Sequence, residues 1–164
     1  MRAPTLAALT AAAVVLVALT ALAVPATAGA QVPFKGSWAS VETDTVVAFP
    51  TLHVDLEGSG NATHLGLFTE EGEFFVNLLT LNGCGTEVLT AANGDTVSAA
   101  GCGQATPTAT PGVLSIEENL VITGGTGRFA GAAGSFTRVR VVDAFGSSTG
   151  SIEGTISSPG AIKH

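Results

Sequence analysis

The chain has 164 residues, with 13 Asp and Glu against 6 Lys and Arg and a formal charge of −7. That balance repels phosphate backbones, and no basic stripe with interleaved aromatics offsets it, so nucleic acid is excluded as a partner. The length suits one ordinary domain able to bury a core, and no cofactor motif is present.

The first thirty residues differ from the rest. Arg2 gives a positive start, Leu6 to Val24 run apolar and alanine-rich, and Ala28-Gly29-Ala30 offers a small-residue cleavage site. Residues 1–30 therefore read as a signal peptide cleaved before Gln31, and residues 31–164 as a secreted, extracytoplasmic domain that leaves the membrane after cleavage. The apolar run approaches the ~20 residues of a bilayer span, so a retained anchor is the alternative.

From Pro33 onward the pattern alternates with period two and is punctuated by glycine, with no apolar repeat of helical period. Strands are expected over 34–43, 51–58, 62–69, 73–81, 84–92, 95–104, 113–123, 129–142 and 147–156. Turns are expected at Gly58-Ser59, Glu71-Gly72, Asn82-Gly83, Asn93-Gly94, Gly124 to Gly127 and Phe145-Gly146. The stretch from Gln104 to Gly112, with Pro107 and Pro111, reads as the one long irregular loop, since proline lacks the donor a central strand needs. Consecutive antiparallel strands joined by short turns form a meander, and a meander of about eight strands removes its edges by closing. The expected fold is all-β: a single closed, up-and-down antiparallel barrel.

Along the chain, Trp38 is the first large group available for a core or a ligand pocket. A two-residue turn at Gly58-Ser59 would set His53 directly opposite His64, with Asp55 and Glu57 on the same face, which suits a divalent metal or acid/base work. The weightier reading puts both histidines on a solvated outer face, because Leu52, Val54 and Leu56 form the opposite one. Glu70, Glu71 and Glu73 read as a solvated hairpin tip rather than a calcium site.

Cys84 and Cys102 lie symmetrically about Asn93. A three-residue connection, Ala92 to Gly94 with Gly94 left-handed, places them opposite each other and favours a disulfide. A two-residue turn would point the sulfurs to opposite faces. The bridge is the preferred reading for an exported chain.

Glu117 and Glu118 alternate faces, so one of them points inward. Gly124, Gly125 and Gly127 are a structural turn and not a phosphate loop, because the residues that follow alternate as a strand instead of opening a helix. Arg138 and Arg140 share a face with Phe136, and a four-residue loop from Ala144 to Ser147 sets Arg138 opposite Glu153. Facing a cavity, the guanidinium groups would hold an anionic head such as a fatty-acid carboxylate. Facing water, the preferred reading, they are ordinary cross-strand partners.

The segment Val121-Ile122-Thr123-Gly124-Gly125-Thr126-Gly127-Arg128-Phe129-Ala130-Gly131-Ala132-Ala133-Gly134-Ser135-Phe136 resembles the hallmark of the allene oxide cyclase and dirigent-like barrels. Val32 to Trp38 and Gly60 to Gly66 are similar to segments of small exported bacterial proteins that share this barrel. The resemblance implies a closed barrel with a central cavity, of the kind that in plant relatives cyclises a fatty-acid epoxide or orients phenolic radicals. The cavity residues of those enzymes have no matching motif here, and tyrosine is absent.

Three functions follow in order of preference. The first is a non-enzymatic barrel that binds a small, mostly apolar ligand in its cavity, with Arg138, Arg140, Phe136 and Trp38 as candidate ligand-binding residues. The second is an isomerase or cyclase of the allene oxide cyclase or dirigent type. The third is a structural or interaction module of the cell exterior.

Overall fold

The computed structural model describes residues 29–157. The expected signal peptide therefore lies outside the described residues, apart from Gly29 and Ala30. The strands are β1 (Val32–Ala48), β2 (Thr51–Ala62), β3 (Gly66–Asn77), β4 (Asn82–Ala91), β5 (Thr96–Pro107), β6 (Leu114–Gly125), β7 (Ala133–Val142) and β8 (Ser147–Ser157). Each pairs antiparallel with the next, and β1 pairs with β8, so the sheet closes into an eight-stranded barrel. A barrel of this size is just wide enough for side chains to fill its interior.

Period-two alternation decides what faces inward. On β2 Val54, Leu56 and Ala62 are buried, and on β4 Glu87, Leu89 and Ala91 are buried while Val88 is exposed. One half of the interior is filled with apolar groups. Phe34 meets Phe136 edge-to-face at 5.3 Å, and Leu120, Ile122, Leu89, Val97 and Ile156 pack into the same core. Phe129, in the 3-10 turn Gly127–Phe129, and Leu65, in the β2–β3 turn, are both buried and seal that end. Arg128 Nη2 ties the two turns together by donating to the Leu65 carbonyl at 3.0 Å.

Several expected boundaries move. β2 runs straight through Gly58-Ser59 and β3 through Glu71-Gly72, so nine candidate segments become eight strands. Both glycines face inward and act as space-makers. A Cβ on Gly58 would lie 2.9 Å from Ser40 Cβ and 3.4 Å from Glu70 Oε2, and one on Gly72 would lie 3.3 Å from Phe74 Cε2 and 3.5 Å from Glu87 Cβ. The chain reverses instead at residues 63–65, where His64 and then Gly66 take positive φ of 65° and 74°. Asn82-Gly83 opens β4, and the preceding turn is shaped by the Asn77 side chain, whose Oδ1 accepts from Leu79 N at 2.9 Å. β5 extends to Pro107, the last residue of its ladder, which shortens the proline-rich loop to 108–113.

The β4–β5 hairpin follows the three-residue alternative. Ala91 N donates to Asp95 O at 2.8 Å, and Gly94 has φ +85°. Cys84 therefore stands opposite Cys102, and the two form a disulfide on the outer face.

Candidate functional site

The middle of the barrel is charged. Arg138, fully buried, donates through Nε to Glu118 at 2.6 Å and through Nη1 to Glu87 at 2.5 Å and to Glu70. Its guanidinium carbon lies 5.0 Å from the centre of the Trp38 ring and 5.5 Å from that of Phe74. One step toward the other end, Arg140 Nη1 pairs with Glu42, while its Nε reaches Glu118 at 3.2 Å. Glu118 thus bridges both arginines.

These groups fit because glycines stand beside them. A Cβ on Gly150 would approach Arg140 Cβ to 2.8 Å, and one on Gly103 would collide with the Glu118 side chain. Burial works against the charge of Arg138, but Glu87, Glu118 and Glu70 together hold its pKa above the usual range. Burial pushes Arg140 down to about 10, so both guanidinium groups stay charged at neutral pH. Burial, reinforced by neighbouring Glu70, pushes Glu87 up to about 8 despite Arg138, and also raises Glu70. Glu87 is therefore mainly protonated at pH 7, which relieves the excess of carboxylates around a single cation.

Above this layer the barrel opens into a cavity of about 270 Å³. Leu52, Val54, Val76, Leu114, Ile116 and Val142 form its walls, and Phe74, Glu118, Arg140 and Glu42 line its depth. Asp44 and the β7–β8 turn lie at the mouth, where Asp143 Oδ1 accepts from the backbone N–H groups of Phe145 and Ser147 at 2.8 and 3.0 Å. The volume falls just below the roughly 300–1,000 Å³ typical of ligand pockets.

Of the four residues expected to contact a ligand, Arg140 lines this cavity. Arg138 and Trp38 sit in the charged layer below it, and Phe136 belongs to the sealed apolar half. The solvent-facing reading of the arginines is corrected, since both are buried. Arg138 stands opposite Ile152, because the β7–β8 connection is one residue shorter than expected. Glu153 instead pairs with Lys35 at 2.6 Å on the outer surface.

His53 and His64 do not meet. The register sets His53 opposite Phe75, with Nε2 2.8 Å from Glu73 Oε1, and leaves His64 in the turn. Among the described residues no group of three or more His, Cys, Asp or Glu is placed to hold a metal ion. Glu70 is buried beside Arg138 and not at a hairpin tip, and of the adjacent pair it is Glu118 that points inward. Gly124, Gly125 and Gly127 carry β6 into the sealing turn, where a Cβ on Gly127 would strike the Asp95 carboxylate.

Glu42, Glu70, Glu87 and Asp44 escaped the sequence reading as site residues. Their signal was parity: each lies an even number of positions from inward-facing groups of its own strand, as Glu87 does from Gly85 and Leu89.

The closed eight-stranded barrel is the fold of solved dirigent proteins. The chain resembles the pterocarpan synthase dirigent protein PsPTS1 with a TM-score of 0.57 and 15% identity, over 80% of this chain and 97% of that one. The pterocarpan synthase dirigent protein GePTS1 matches with a TM-score of 0.58 and 14% identity, over 89% and 99% of the two chains. No protein-family profile matches the chain, and no curated protein matches it.

Proposed function

We propose that this is a secreted barrel that binds a small, mostly apolar molecule in the cavity at its open end. The observation that carries this reading is the cavity itself: a water-accessible recess walled by aliphatic side chains with a few polar groups at its base. The outer-face disulfide supports export, because such bonds persist in oxidising compartments.

Nile red, together with a panel of lipids and terpenoids, tests the proposal. Binding at micromolar affinity is expected, weakened at least tenfold by Ile116→Trp, which fills the cavity. No binding across the panel would remove the reading.

A second reading, guided coupling or cyclisation of the dirigent type, is favoured by one observation. Glu118 and Arg140 bring an acid and a cation to the base of the apolar recess. Product analysis after incubation with phenolic radicals or epoxides separates the two readings: unchanged product ratios leave binding alone.

A further inference from the structure

Resting on that reading, we infer that the cavity selects an apolar amine over a carboxylate of equal length, with Asp44 as the counter-ion. Four carboxylates, Glu42, Asp44, Glu118 and Asp143, line it against one guanidinium, Arg140. That guanidinium is already engaged. Its Nη1 faces Glu42, and its Nε and Nη2 face the two oxygens of Glu118 at 3.2 and 3.4 Å. A ligand carboxylate reaching Arg140 would have to displace Glu42, stranding it without a partner, or Glu118, leaving it Arg138 alone, and either is unfavourable. The fatty-acid head suggested by the pair of arginines in the sequence is therefore the wrong chemistry for this recess.

The four carboxylates differ in what they have left to offer. Glu42 and Glu118 are held by Arg140, and Asp143 is held by its own turn. The Asp44 carboxylate makes no hydrogen bond or ion pair among the described residues, its backbone alone pairing across to β2. It lies two positions beyond Glu42 on β1, so it shares the inward face, and its register partner on β2 is the buried Val54. A strand rises about 3.3 Å per residue and tilts about 40° in a barrel, which puts Asp44 about 5 Å nearer the mouth than Glu42. An ammonium at that height meets a free carboxylate while its alkyl part descends between Val54, Val76 and Ile116. The acidic field of the whole chain, −7, acts in the same sense.

Calorimetric titration with decylamine, decanol and decanoate, each below its aggregation threshold at pH 7, tests the inference on the disulfide-bonded protein. Decylamine should bind at least tenfold tighter than decanoate. Asp44→Asn should bring decylamine to the affinity of decanol, whereas Asp55→Asn on the outer face should keep the preference. Decanoate binding as tightly as decylamine, or a preference that survives Asp44→Asn, overturns the inference while leaving the cavity a binding site. Binding of none of the three overturns the inference, and the Nile red and lipid panel then decides separately whether the cavity is a binding site.

Discussion

Glu118 and Arg138 stand directly opposite each other on β6 and β7, with Arg138 Nε donating to Glu118 Oε2 at 2.6 Å. On the outer face of a sheet such a pair contributes less than about 1 kcal/mol. Turned inward it becomes a constraint on the whole interior, because the pair links Arg140 on one side to Glu70 and Glu87 on the other.

Replacing Arg138 with Met should accordingly cost about 3–5 kcal/mol or prevent folding, since it leaves Glu70 and Glu87 buried beside no cation and Glu118 with Arg140 alone. Urea unfolding gives the loss. Adding Glu70→Gln and Glu87→Gln to Arg138→Met should recover part of it, because the penalty lies in unpaired charge more than in lost packing.

Stability should fall as pH rises from about 5 to 8. In the unfolded chain Glu87 titrates near 4.5, whereas in the barrel burial raises it to about 8. Between those values the folded state holds a proton that the unfolded state has released, so stability falls with each unit of rising pH, on the order of 4 kcal/mol in all. Thermal melting across this range reads the slope. Glu87→Gln, neutral at every pH, should flatten it.

Inner-face glycines should resist substitution in proportion to the space they lack. A Cβ on Gly60 would sit 2.6 Å from Trp38 Cβ and 2.8 Å from Phe68 Cζ, whereas on Gly72 the nearest atom is 3.3 Å away. Gly60→Ala should therefore destabilise by about 1–3 kcal/mol, as overpacking does, and Gly72→Ala by less. Equal losses in urea unfolding would contradict this account.

Opening the disulfide should lower the melting temperature without changing the fold. The bridge spans 18 residues, for which chain entropy suggests about 3 kcal/mol. Cys84 and Cys102 sit on strands already zipped by a full ladder, so far-ultraviolet circular dichroism of Cys84→Ser/Cys102→Ser should match that of the parent.

The barrel, the β4–β5 hairpin and its bridge were readable because their signals are local: period-two alternation, and Asn93-Gly94 at the centre of two cysteines. The interior was not readable in the same way. A glycine inside a strand gives the same local signal as one in a turn, and what distinguishes Gly58 is its neighbours across the sheet, Ser40 and Glu70. Misplacing that turn created the His53–His64 encounter. Charged residues are rarely buried unless paired, so Glu70, Arg138 and Arg140 were assigned to water. Their pairing joins β3, β4, β6 and β7, a relation that only closure of the sheet brings about.

An even number of strands running up and down leaves β1 starting, and β8 finishing, at the rim stoppered by Phe129 and Leu65. A purification handle or surface tether joined ahead of Val32 or behind Ser157 therefore departs on the side remote from the entrance. Immobilised through either connection, the molecule would present its opening outward, toward whatever solution flows past.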